Sequence, residues 1–156
     1  RPRVALAVRV ADCVPVLFAD AAAGVIGAAH ADRVGLAAGV LQATVAALRA
    51  RGARQLTAWI GPHVCGACYE VPKELADQVA QQVPGTRSTT SWGTPALDLG
   101  AGGARVLAHL GVETVDVAAC TLESADLHSY RRDAAASGRQ AGIIWLAGAC
   151  RTKNAG

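Results

Sequence analysis

The sequence predicts an α+β (mixed α/β) domain, with mixed β-sheets, hairpins and packed helices. Three observations predict it. Short apolar runs of strand length recur from one end of the chain to the other. The second and third runs are separated by only four residues, the length of a hairpin loop and too short for a crossover. Helical stretches punctuated by glycine or proline alternate with the later runs, as expected where helices pack on sheets. The 156 residues suit a single domain, assigned to 1–156.

Each element has its own reason. Val4 to Val10 is a short, β-branched apolar run and reads as a buried strand. Val14 to Ala19 and Gly24 to Ala29 are two more, joined by Asp20-Ala21-Ala22-Ala23. Leu36, Val40, Thr44 and Leu48 recur at i+4, and Gly52 follows, so 36–51 reads as one helix with a glycine stop. Gln55 to Ile60 is a strand ended by Gly61-Pro62. Pro72 opens a helix to Val83, because proline suits a first turn. Pro84 to Pro95 reads as a polar loop, and Asp98 can cap a helix to about Leu110, stopped by Gly111. Val112 to Ala118 and Gly142 to Ala147 are strands, with a polar surface loop, Cys120 to Arg139, between them.

Composition excludes several classes of function. At 52% hydrophobic and 17% charged, the chain can bury a core and is not disordered. No uninterrupted apolar stretch is long enough to span a membrane. A net charge of +3 with one Phe, two Tyr and three Trp provides neither a basic stripe nor a stacking platform for nucleic acid. A small-molecule ligand is expected. Five cysteines, at 13, 65, 68, 120 and 150, form an odd set that suits thiol or metal chemistry inside the cell rather than a disulfide framework. The N-terminal residues lack the pattern of a signal peptide, so a cytoplasmic location is expected.

Four constellations can carry chemistry. If Ala19 and Gly24 are the last paired residues of the hairpin, Cys13 faces His30 directly. Opposed Cβ atoms stand about 4.5–5.5 Å apart, which suits two ligands of one metal or a thiolate–imidazole pair; from spacing alone, a buried thiol packed beside a core histidine is the favoured reading. Cys65-Gly66-Ala67-Cys68, preceded by His63, can be a metal clip or a redox pair, but Cys120 and Cys150 stand alone in sequence. A turn with adventitious thiols is the favoured reading. A zinc-deaminase pattern fits poorly, with Asp32 in place of the glutamate and Val64 in place of the proline. Arg131, Arg132 and Arg139 lie in a polar loop and suit a phosphate or carboxylate, or pairing with Asp133. Asp32 can cap the first helix, whose N-terminus would favour an anion or thiolate beside Cys13 and His30.

The stretches ADCVPVLFAD, GVIGAAHA, IGPHVCGACYEV, LDLGAGGARVLAHLGV, CT, HSYRRD and SGRQAGIIWL occur in the order of one family. The chain resembles the YfiH-like laccase-domain family, also called polyphenol oxidase or peptidoglycan editing factor, from Ala11 to Leu146. The resemblance implies a zinc site, with copper as the alternative metal, made by Cys13 and His30. The family's third ligand is a histidine in an upstream Q-V-H-G motif, which has no counterpart here, so the family's N-terminal segment is expected to be missing. Where the family commonly has H-A-G-W-R-G, this chain has His30-Ala31-Asp32-Arg33-Val34-Gly35.

The implied activity is phosphorolysis of purine nucleosides (adenosine, inosine, methylthioadenosine) with adenosine deaminase activity. Arg131 and Arg132 are then the expected phosphate ligands, and the partners are a purine nucleoside and phosphate. The rival readings are a copper-dependent polyphenol oxidase, an inactive chain that keeps the fold, a thiol–disulfide module at Cys65 and Cys68, and peptidoglycan editing. With four histidines and no H-x-H pair, the chain cannot build a multicopper cluster, although one copper suits a Cys/His site. Apolar surface left by absent strands would favour a homo-oligomer.

Overall fold

The computed structural model describes residues 4–117 and 119–147. The mixed α+β reading holds. Strands β1 (Ala5–Val10), β2 (Val14–Asp20) and β3 (Val25–Ala31) lead into helices α1 (Arg33–Ala37) and α2 (Val40–Ala50). Strand β4 (Thr57–Ile60), helix α3 (Lys73–Gln82), strands β5 (Arg87–Thr89) and β6 (Pro95–Leu97) and helix α4 (Leu99–His109) follow. The chain continues through β7 (Glu113–Asp116), a short helix α5 (Tyr130–Asp133), one 3-10 turn (Ala134–Ala136) and β8 (Gln140–Trp145).

The main sheet has the order β3-β2-β4-β7. Its β4–β7 pair is parallel and the others are antiparallel. The parallel pair needs a long crossover, which α3, the β5–β6 hairpin and α4 provide. Strands β1 and β8 form a separate antiparallel ribbon. On β2, Val14, Val16 and Phe18 point inward at a period of two, and Phe18 is fully buried. Leu36 of α1, Leu41 and Val45 of α2 and Leu107 of α4 cover that face. Burial of each such side chain contributes about 1.5–3 kcal/mol. Helix α2 approaches β3 closely at Gly27, where a Cβ would lie 2.8 Å from a Leu48 methyl.

Four expectations need correction. The single helix over 36–51 is two, because Gly39 takes a left-handed φ of +86° and interrupts the hydrogen-bond ladder. The polar loop over 84–95 contains β5 and leads straight into β6. The loop over 120–139 contains α5, capped by the Ser129 hydroxyl. The hairpin register is shifted by two: Asp20 pairs with Val25, and His30 stands opposite Pro15 rather than Cys13. The turn occupies Ala21–Gly24, where the Asp20 carboxylate accepts the Ala23 N–H at 2.9 Å and Gly24 takes φ +63°. The capping roles of Asp32 and Asp98 hold, with N–H groups at 2.6 and 2.8 Å, as do the stops at Gly52 and Gly111. Ala118, the last residue of the strand expected over 112–118, and Cys150 lie outside the described residues. No described helix is long and apolar enough to cross a membrane.

Candidate active site

A register shift of two changes the partner of His30 but not its face, since faces repeat every second residue. Cys13, immediately before β2, and His30, near the end of β3, line one cleft of about 410 Å³. Asp32, Tyr69, Arg131 and Arg139 line it as well. The cleft therefore joins the first hairpin to the segment over 130–139, more than a hundred residues away.

Asp12 makes this juxtaposition. It is nearly buried and holds a left-handed φ of +83°, a conformation that Asp tolerates better than most residues. Its Oδ1 accepts the Thr121 hydroxyl at 2.7 Å and its Oδ2 accepts the Arg131 N–H at 2.7 Å. Its carbonyl accepts the Val64 N–H at 3.0 Å. The turn that carries Cys13 is thus fixed to three distant segments. Sequence reading left Asp12 without a role; its place beside Cys13 in the A-D-C stretch was the available signal.

The two candidate phosphate ligands part company. The Arg131 guanidinium stacks over the Tyr69 ring, 4.4 Å from its centre, and faces the cleft. The Arg132 guanidinium is committed elsewhere. Its Nη1 donates to the carbonyls of Thr121, Leu122 and Ser124. Its Nη2 donates to the Leu127 carbonyl, and Nε and Nη2 pair with the Asp133 carboxylate. Adjacent positions on a short helix point in different directions, so Arg132 folds the loop while Arg131 faces the cleft. Arg139, over the Tyr130 ring at 5.7 Å, lines the cleft too, as do Arg9 and Arg33.

Burial pushes the Cys13 thiol up, and the Asp32 and Asp12 carboxylates push it further; Arg139 acts in the opposite direction. The expected helix-terminus bias toward a thiolate is therefore outweighed. The Asp32 carboxylate that caps α1 is itself the negative charge at that terminus. A metal is the group that would displace the Cys13 proton. Cys13 and His30 offer one sulfur and one nitrogen donor on a single cleft, a set that fits zinc or copper as two ligands of a larger shell. The other imidazoles have other work. His63 Nδ1 lies 2.9 Å from the Gly61 carbonyl, and His109 Nδ1 lies 2.8 Å from the Arg105 carbonyl. The His128 ring packs against Gly138 so closely that a Cβ there would meet it at 2.5 Å.

The fold gives the C-x-x-C segment a neighbour that its sequence context lacks. Cys120, solitary in sequence, stands beside Cys65 and Cys68. One ligand atom each from Cys65, Cys68, Cys120 and Glu123 lie within 4.8 Å of one another, a group that can hold a metal ion. The parallel β4–β7 pairing, extended by a His63–Cys120 bridge, brings them together.

Comparison with known proteins gives the context. Residues 1–147 match the family described as multi-copper polyphenol oxidoreductase laccase. A purine nucleoside phosphorylase of Streptomyces griseus is 56% identical over 149 residues, which cover 94% of this chain and 60% of the relative. One from Streptomyces coelicolor is 52% identical, covering 92% of this chain and 60% of the relative. A crystal structure of Bacillus licheniformis YfiH superposes with a TM-score of 0.83 at 30% identity, covering 94% of this chain and 59% of that one. A Neisseria meningitidis protein gives 0.79 at 37% identity, covering 92% and 61%. The chain spans about 60% of the length of the curated relatives it matches. With nearly its whole length matched and its fold shared with these structures, the chain belongs to the multi-copper polyphenol oxidoreductase laccase family.

Proposed function

We propose that the Cys13/His30 cleft is the substrate site of a zinc-dependent purine nucleoside phosphorylase that also deaminates adenosine. One observation supports this reading best: a thiol, an imidazole and four arginines (Arg9, Arg33, Arg131 and Arg139) from distant segments converge on one cleft. The relatives' names give the reaction class. In phosphorolysis, phosphate attacks the ribose C1′ while the purine departs and the sugar gains positive charge. Arg131 and Arg139 hold the phosphate by charge-assisted hydrogen bonds and orient it for attack. Tyr69 fixes the Arg131 plane, and Asp12 fixes its backbone. Cys13 and His30 would hold the zinc, which when bound supplies Lewis acidity and, for deamination, a water of lowered pKa. Phosphate binding falls to Arg131 with Arg139 rather than Arg132. Among the described residues, Arg139 Nη1 donates to the Ser137 and Gly138 carbonyls but its Nη2 and Nε remain for a ligand, whereas every Arg132 nitrogen donor group is engaged.

A phenol oxidase that uses several coppers needs clustered imidazoles, and His63, His109 and His128 do not reach this cleft. That distribution favours the phosphorylase reading.

The test is release of base from adenosine and inosine with and without phosphate. It is run on the chain and on a fusion carrying the N-terminal segment of the Streptomyces griseus relative. Base release that requires phosphate is expected, and Cys13→Ala should lower it by at least about 100-fold. Release independent of phosphate, no release in either form, or full activity of Cys13→Ala would overturn the proposal.

A further inference from the structure

We infer that Cys65, Cys68, Cys120 and Glu123 form a second metal centre, a structural zinc site outside the cleft. The inference is independent of the phosphorylase reading.

Two turns build the site. In Cys65-Gly66-Ala67-Cys68 the N–H groups of Cys68 and Tyr69 both fold onto the Cys65 carbonyl, each at 3.0 Å. This closes the turn. The turn also packs close to α4: a Cβ on Gly66 would stand 2.7 Å from the Asp98 Cβ. In the opposing turn, the Ser124 N–H donates to the Cys120 carbonyl at 3.0 Å. Backbone pairing fixes the two turns to each other. His63 N–H donates to the Ala119 carbonyl at 3.2 Å, and Thr121 N–H donates to the His63 carbonyl at 3.1 Å. The Cys65 N–H reaches the Cys120 sulfur at 3.5 Å.

The donor set is three sulfurs and one carboxylate oxygen, all within 4.8 Å of one another. A tetrahedral zinc with arms of 2.3 Å to sulfur and about 2.1 Å to oxygen places neighbouring donors roughly 3.6–3.8 Å apart. The Cys68 sulfur lies 3.5 Å from Glu123 Oε1, close to that edge. Little movement is needed to close the group on an ion. Three thiolates and a carboxylate with no further ligand required match a closed structural site rather than an open catalytic one. Access is available, because Cys65 and Cys120 line a surface cleft of about 310 Å³.

The centre would do mechanical work. The first turn leads directly into Tyr69, on which Arg131 stacks. The second turn presents the Thr121, Leu122 and Ser124 carbonyls that hold Arg132. A bound ion ties both turns together behind the arginine wall of the cleft.

The experiment is cobalt and zinc loading of the reduced full chain, with visible absorption and thiol-reagent kinetics as readouts. We expect a tetrahedral cobalt spectrum with thiolate charge transfer. It should persist in Cys13→Ala and His30→Ala and disappear when Cys120→Ala is added to Cys13→Ala. Zinc should slow modification of the three thiols by about tenfold or more. Glu123→Gln changes an exposed side chain, so the fold survives; its zinc affinity should fall about tenfold. Absence of metal uptake, a thiolate spectrum lost in Cys13→Ala, unchanged affinity in Glu123→Gln, or a Cys65–Cys68 disulfide that forms in preference to zinc binding would each overturn the inference.

Discussion

Arg131 and Arg132 are neighbours in sequence with separate tasks. Arg131 shows its guanidinium to the cleft across Tyr69, whereas Arg132 places its donors on four loop carbonyls and Asp133. Two substitutions should therefore separate function from folding. Arg131→Ala is expected to raise the KM for phosphate by about tenfold or more, the value of one lost charge-assisted contact, with the thermal midpoint nearly unchanged. Arg132→Ala is expected to increase hydrogen exchange over residues 121–127 and lower the midpoint. Equal effects of both substitutions on KM would contradict this division. The sequence showed that arginines cluster here, but not which one turns inward. That choice depends on the Ser129 cap and the path of the loop, which no local pattern specifies.

At the scale of elements, the first hairpin shows what periodicity can and cannot supply. Alternating apolar residues located β2 and β3, and four intervening residues gave the hairpin. The register depended on Asp20, whose carboxylate accepts N–H groups from Ala23, Arg54 and Gln55. Two of those donors lie more than thirty residues downstream, so neither the register nor the clamp could be read locally. The hydrogen bonds from Arg54, Ala23 and Gln55 hold the carboxyl down at about 2, against about 3.9 in an unfolded chain. A depressed folded-state value adds stability that is complete above about pH 4 and lost as pH falls through about 2. The stability difference between the native chain and Asp20→Ala should shrink across that interval, as measured by urea unfolding at successive pH values. A difference that is constant from pH 5 to pH 2 would show that the carboxylate charge does not hold the clamp.

Across the whole molecule, distance in sequence hides the site. Asp12 bonds to Thr121 and Arg131, and Cys65 meets Cys120. The parallel β4–β7 pair and its crossover produce both encounters, and a single sequence carries no direct signal of a parallel register. The fold class and most elements were legible because they rest on local periodicity and punctuation. The break at Gly39 was not, since a glycine within an i+4 pattern does not reveal its φ. Asp12→Ala removes the acceptor of the buried Thr121 hydroxyl and of the part-buried Arg131 N–H, and should cost about 1–3 kcal/mol for the buried hydroxyl left unpaired. Urea denaturation should show this loss, and base release should fall with it because Arg131 loses its backbone anchor. Native-like stability with full activity would mean that the clamp does not organise the cleft.

In the proposed function, the Cys13/His30 cleft receives both nucleoside and phosphate. The most direct measurement is a crystal structure of the zinc-loaded protein grown with inosine and sulfate, which mimics phosphate without reacting. The nucleoside is expected between Cys13 and His30, with sulfate on the Arg131 and Arg139 guanidinium groups. A nucleoside bound away from this cleft, or sulfate on Arg132 instead of Arg131, would contradict the proposed function.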